Sequence, residues 1–154
     1  MNRKKLVIAL LAVFLILSFF IYDRFKTANS VEEYEQPTPE EVAKQYFDAW
    51  NRKDYPNMYS TISDGFKKIE PTAKDLASFK AYAESQGVDG VRILSIEERP
   101  NNGMTAAVDY SVEFLLSNGK VQKFDGTFTL KYRHGDVIPG WKLIHPYGKN
   151  VDTS

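Results

Sequence analysis

The hydrophobic period of this chain changes once, near Gly90, and that change restricts the fold more than any other feature. Before it, apolar residues recur three and four positions apart; after it, they alternate. Thr38-Pro39-Glu40-Glu41 places an N-cap hydroxyl, a proline at the first helical position and a capping-box glutamate in order. Val42, Ala43, Tyr46, Phe47 and Trp50 then mark one apolar face of a first helix. Asp54 is placed to cap a second helix running through Ile62, with Met58, Tyr59 and Ile62 inward and Asp64-Gly65 as its end. Phe66 and Ile69 are read as apolar residues of a loop. A third helix is expected to open at Thr72 with Asp75 in the capping-box position. It carries Leu76, Phe79, Tyr82 and Ala83 on one face and stops at Gly87.

The alternating half divides at turn signals. Val91–Arg99 is closed by Pro100-Asn101-Asn102-Gly103, Met104–Leu116 by Ser117-Asn118-Gly119, and Lys120–Arg133 by His134-Gly135-Asp136; Trp141–His145 comes last. Val108, Tyr110, Val112, Phe114 and Leu116 share one face of the second strand, and Phe124, Phe128, Leu130 and Tyr132 one face of the third. Gly126 falls on that same face, where a strongly bent strand favours the absence of a side chain. The expected architecture is α+β: three helices packed on one face of a curved four-stranded antiparallel sheet. Trp50, Tyr46, Phe79, Phe114, Phe128 and Trp141 are the expected core between the layers.

Ahead of this domain lies a different kind of sequence. Leu6–Tyr22 is a run of 17 residues without charge, proline or glycine, preceded by Arg3, Lys4 and Lys5. Its length is near the lower limit for a helix crossing a hydrocarbon core of about 30 Å. An uncleaved signal anchor is favoured over a cleaved signal peptide, because the small-residue site Ala28-Asn29-Ser30 lies far beyond the apolar run. The basic residues on its N-terminal side place the N-terminus in the cytoplasm and the remainder outside it. The expected domains are a membrane anchor over 1–26, a linker over 27–37, a folded domain over 38–148 and a tail over 149–154. Residues 27–154 carry 15 basic and 19 acidic side chains, a net charge of −4.

Composition removes several classes of chemistry. The chain has no cysteine, which excludes disulfides, thiolate metal sites and cysteine nucleophiles. Its zero net charge offers no electrostatic basis for nucleic acid as a partner. The two histidines, His134 and His145, stand apart; His134 is read as solvated and His145 as structural or exposed, and no cluster has metal-ligand spacing. No cofactor is expected. Asp109, Glu113 and Asp125 alternate away from the inward residues of their strands, so no acid/base pair is placed to share a pocket.

The spacing and aromatics of three segments carry a family resemblance: Thr38–Asp54 (TPEEVAKQYFDAWNRKD), Leu76–Arg92 (LASFKAYAESQGVDGVR) and Phe128–Ile144 (FTLKYRHGDVIPGWKLI). Together they resemble the nuclear transport factor 2-like domain at the start of MecA-type penicillin-binding proteins, over about residues 38–147. The resemblance implies a stand-alone, membrane-anchored copy of a domain that in that family precedes a transpeptidase. Its only Ser-x-x-Lys sequence is Ser117–Lys120, in an expected hairpin turn where the two side chains share no helical face; Ser-x-Asn and Lys-Thr-Gly are absent.

The chain is therefore expected to be no enzyme. It reads as an extracytoplasmic accessory or interaction domain, linked to cell-wall synthesis or the β-lactam response, held in the membrane by residues 6–22 and bound to a protein of wall synthesis. Alternatives are the ectodomain subunit of a secretion or conjugation complex, the truncated front of a longer penicillin-binding protein, and a small-ligand binder or isomerase-like enzyme. In the last case Tyr46, Trp50, Phe79, Tyr110, Phe114, Phe128 and Trp141 are the expected cavity lining.

Overall fold

The computed structural model describes residues 36–147, together with Ser18, which is helical. The expected anchor over 6–22 otherwise lies outside the described residues, as do most of the linker and the tail. No helix among the described residues is long and apolar enough to cross a membrane.

Helix α1 spans Pro39–Asn51. Its start is fixed as the sequence requires: the Thr38 hydroxyl accepts from the Glu41 N–H at 3.2 Å, and the Glu41 carboxylate accepts from the Thr38 N–H at 2.8 Å. Val42, Ala43, Tyr46, Phe47 and Ala49 form its buried face. The chain leaves α1 through Lys53, whose φ of 57° is left-handed, and the Lys53 ammonium donates to the Val88 carbonyl. Asp54 then caps α2 over Tyr55–Ser60.

Helix α2 ends two residues before the expected Ile62. Ile62 instead forms a parallel bridge to Leu143, flanked by backbone bonds from Leu143 N–H to the Thr61 carbonyl at 2.9 Å and from Ser63 N–H to the Leu143 carbonyl at 3.0 Å. A second departure follows. Asp64-Gly65 does not close a helix but begins one: α3 spans Asp64–Ile69, because the Ser63 hydroxyl accepts from the Phe66 N–H and caps it. Phe66 is buried at 2% exposure, while Ile69 stands 61% exposed. Among the described residues 36–147 there are thus four α-helices rather than three. The third opening expected at Thr72 is a 3₁₀ turn over Pro71–Ala73, and α4 over Leu76–Ser85 is capped by Asp75 itself, which accepts from the Ser78 N–H at 2.7 Å. Gly87, with φ +62°, ends this segment.

The sheet is an antiparallel meander in the order β1-β2-β3-β4, over Val88–Glu98, Thr105–Leu116, Val121–Arg133 and Gly140–Leu143. Strand β1 begins three residues earlier than its alternation indicates, and two register shifts, at Val88/Gly90 and Ile93/Ser95, bend it. The helices pack on the inner face of this curled sheet. Among the largest fully buried side chains are Phe47, Phe79, Met58, Ile62, Leu130 and Leu143. Of the expected core, Tyr46, Phe79 and Phe128 are buried; Trp50, Phe114 and Trp141 are only partly so. The outer face is paired by charge, Arg99 with Asp109 and Arg92 with Glu113.

The β3–β4 loop is fastened to α3 by two reciprocal carboxylates. The buried Asp136 accepts from the Asp64 N–H at 2.9 Å, and Asp64 accepts from the Val137 N–H at 2.7 Å.

Tyr110 of β2 faces Gly126 of β3. A Cβ at position 126 would lie 2.5 Å from the Tyr110 hydroxyl oxygen, and the ring is held from elsewhere, 4.4 Å from Phe128 and 5.0 Å from Phe47. Gly126→Ala is therefore expected to destabilise the domain by about 1–3 kcal/mol, the range of an overpacked core. In a Tyr110→Leu background the same change costs measurably less. Urea unfolding of the four proteins in a double-mutant cycle checks this, and additive effects would contradict it.

Candidate functional site

The inner faces of β2 and β3, helix α1 and the end of α4 enclose a cavity of about 420 Å³. Its aromatic wall follows from the helical spacing on one side and the strand alternation on the other. Tyr46 meets Phe128 edge-on at 5.5 Å, Phe47 stacks on Phe128 at 5.4 Å, and Trp50 lies 5.1 Å from Phe114. Phe114 in turn contacts Phe124 at 5.2 Å. Across the mouth, Tyr82 of α4 lies 4.3 Å from Tyr147, which follows β4.

Five of the expected lining residues meet here: Tyr46, Trp50, Tyr110, Phe114 and Phe128. Phe79 and Trp141 are not among the residues lining the cavity. Phe79 projects from α4 toward α2, with its ring 5.3 Å from Tyr59, and Trp141 packs on Tyr132 at 5.6 Å. Both satisfy the apolar period of their elements, but period alone does not say which neighbour an inward residue meets. Sequence reasoning did not assign Tyr82, Gln86, Gln122, Phe124 and Tyr147 to the lining. Tyr82 and Phe124 carry the correct inward phase, whereas Tyr147 lies past the last strand, where no periodic signal remains.

The polar groups of the cavity are neutral. Burial pushes the Tyr46 phenol well above its ordinary range, and the neighbouring Tyr147, Tyr82 and Tyr110 add to that shift. Burial likewise raises Tyr110, and burial with the charge of Glu70 raises Tyr82. Tyr147 is raised by burial despite the hydrogen bond from the Thr72 hydroxyl, at 3.4 Å, which acts the other way. The Trp50 indole Nε1 is buried without a hydrogen-bond partner. No Asp, Glu, His, Lys or Arg is among the described residues that line the cavity. His134 is exposed in the β3–β4 turn, and His145 packs against Phe66. No cluster of three or more potential metal ligands occurs among the described residues. Ser117–Lys120 lies in the β2–β3 turn, with Gly119 at φ +79°, so its serine and lysine are not carried on a helix.

Residues 38–147, most of the described domain, match the model of the NTF2-like N-terminal transpeptidase domain. The chain belongs to that family. Penicillin-binding protein 3 of Bacillus subtilis (strain 168) is 26% identical to this NTF2-like chain over 110 residues, covering 69% of the chain. The chain spans only 16% of the length of that relative. Among solved structures, RPA3114, a SEC-C motif containing protein from Rhodopseudomonas palustris, superposes with a TM-score of 0.51 at 17% identity, covering 70% of this chain and 75% of that one. A ketosteroid isomerase-like protein from Erwinia carotovora atroseptica superposes with a TM-score of 0.50 at 19% identity, covering 72% and 92%. At these identities the two structures share the fold alone.

The raised phenols give a pH dependence with a definite sign. A group whose folded pKa exceeds its unfolded value contributes stability that is complete below about pH 10, the unfolded tyrosine value, and is lost as pH rises through the folded one. The NTF2-like domain is thus expected to lose stability progressively above about pH 10. Phenolate absorbance should show Tyr46 ionising only on unfolding, and Tyr46→Phe should flatten the alkaline loss. An unchanged slope in Tyr46→Phe would contradict the assignment.

Proposed function

We propose that this chain is a non-catalytic accessory domain, anchored by residues 6–22 with its folded part outside the cytoplasm, and that it serves cell-wall synthesis or the β-lactam response by binding a protein of that machinery. The observation that carries this reading is the character of the cavity. General acid–base chemistry needs a group that exchanges a proton near neutral pH. Here the ionisable groups among the lining residues are phenols, and burial pushes them further from neutrality. Membership of the transpeptidase-associated family supplies the context, and the basic residues ahead of the apolar run supply the orientation.

A second reading, a small-ligand binder, is favoured by one observation. The cavity keeps an open volume of about 420 Å³ walled by aromatic rings, with the side-chain amides of Gln86 and Gln122 among its lining.

Two experiments test these readings. In the first, the tagged full-length chain is expected to stay in the membrane pellet after carbonate washing. Its C-terminal tag is then open to external protease, and detergent pull-down enriches a wall-synthesis enzyme. Cytosolic fractionation, turnover by the purified protein, or enrichment of transfer ATPases in place of wall enzymes would overturn the accessory reading. In the second, native mass spectrometry of the purified chain is expected to reveal a bound small molecule that the Gln86→Leu/Gln122→Leu variant loses. A bare protein throughout would remove the ligand reading and leave the first intact.

A further inference from the structure

A second concavity, of about 400 Å³, lies away from the aromatic cavity, where α2, α3 and the start of α4 face the β3–β4 loop and β4. Its walls are mainly apolar: Pro56, Leu76, Val137 and Ile138. Val137 is 91% exposed and Ile138 59%, and Leu76, placed by its period on an inward helix face, is 39% exposed. The loop that carries Val137 and Ile138 is held by the Asp64–Asp136 clasp, in which Arg133 also donates to Asp136 at 3.3 Å. A fastened loop that turns two aliphatic side chains toward solvent buries little with them in the isolated domain. Rigidly presented apolar groups beside a cleft are a feature of contact surfaces.

The cleft floor has an excess of donors. Lys67 spends one N–H on Asp64 at 3.1 Å and lies over the Tyr59 ring, 4.4 Å from its centroid. Lys142, itself buried, spends one on the Ser60 carbonyl at 2.7 Å. Each ammonium has three donors. The one carboxylate among the lining residues, Asp64, is already engaged at both oxygens, by Lys67 and by the Val137 N–H. Two cations, one spent anion and an aliphatic rim match an occupant that brings its own carboxylate next to an apolar side chain. Val137 and Ile138 line the cleft yet stand 91% and 59% exposed, so an occupant that covers them extends past its rim.

We propose that this cleft is the docking site for a partner protein, which inserts a segment carrying an acidic residue adjacent to a large aliphatic or aromatic one. The carboxylate meets the Lys67 and Lys142 ammonium groups, and the apolar side chain lies against Leu76, Val137 and Ile138. Burial and the neighbouring Lys67 push the Lys142 ammonium below its ordinary range, against the pull of Asp136 and Asp64, so an incoming carboxylate compensates an existing electrostatic deficit.

The setting of this inference rests on the accessory reading above, but its test reads binding only. A library of random dodecapeptides displayed on phage is panned against the detergent-solubilised full-length chain. The expected result is enrichment of peptides with Asp or Glu next to Leu, Ile, Phe or Trp. As synthetic peptides these should bind at least tenfold more weakly to Val137→Ser/Ile138→Ser and to Lys67→Met, and equally well to Met104→Ser, a change at an exposed residue between β1 and β2. Both loop positions are solvent-exposed, so the double variant keeps the fold; its melting temperature verifies this. No enrichment, enriched peptides without acidic residues, or equal binding to the loop variant would overturn the proposal. Co-sedimentation of the chain with phosphatidylglycerol vesicles that depends on Val137 and Ile138, without peptide binding, would assign the surface to lipid instead and likewise overturn it. Failure of this test leaves the localisation and pull-down outcomes untouched.

Discussion

The fold depends on a single cross-layer contact, the packing of two successive α1 rings against Phe128. Tyr46 meets that ring edge-on and Phe47 lies stacked on it, so one strand residue fixes both the rotation and the height of the helix above the sheet. Tyr110, lying across Gly126, completes the cluster from β2. Buried aromatics contribute on the order of 1.5–3 kcal/mol each through removal of apolar surface from water, with a further gain from edge and offset geometry. With α1 held there, Trp50 at its last turn reaches Phe114, and the space between the two contacts becomes a cavity.

That cavity belongs to a fold shared with an isomerase-like structure, and its side chains set the chemistry open to it. Fold supplies the volume, and side chains decide its use. The inward positions of β2 and β3 are occupied by aliphatic and aromatic residues apart from Gln122 and Gly126, while Asp109, Glu113 and Asp125 fall on the outer face, two of them paired with arginines. The alternation of a strand therefore determines the chemistry as well as the packing. Shifting β2 by one residue would bring its carboxylates inward, and the register with β1 and β3 prevents it.

Much of this was legible in the residues. The capping box at Thr38, the tight turn at Asn118-Gly119, and the inward sets of β2 and β3 follow from short-range chemistry, which a sequence displays directly; the tight turn expected at Asn102-Gly103 is instead part of a six-residue loop between Glu98 and Thr105, where the Asn102 side chain accepts from the Met104 and Thr105 N–H groups. The helical departures share one cause. Helix α2 yields Ile62 to a bridge with Leu143, and α3 forms because Ser63, held extended by that same strand, is free to cap it. Both depend on β4, 80 residues onward in the chain. Leu76 and Trp141 likewise carry apolar periodicity, yet where each packs is decided by elements that no local pattern names. Tyr147, beyond all periodic structure, enters the cavity lining for the same reason.

The clasp between α3 and the β3–β4 loop has a consequence for how this surface can evolve. Its bonds run from carboxylates to main-chain N–H groups, so they constrain Asp64 and Asp136 but are indifferent to the side chains at 137 and 138. Those two positions, 91% and 59% exposed, are the part of the loop where substitution disturbs the packed core least. Homologous chains could thus exchange their recognition chemistry residue by residue while the supporting framework stays unchanged.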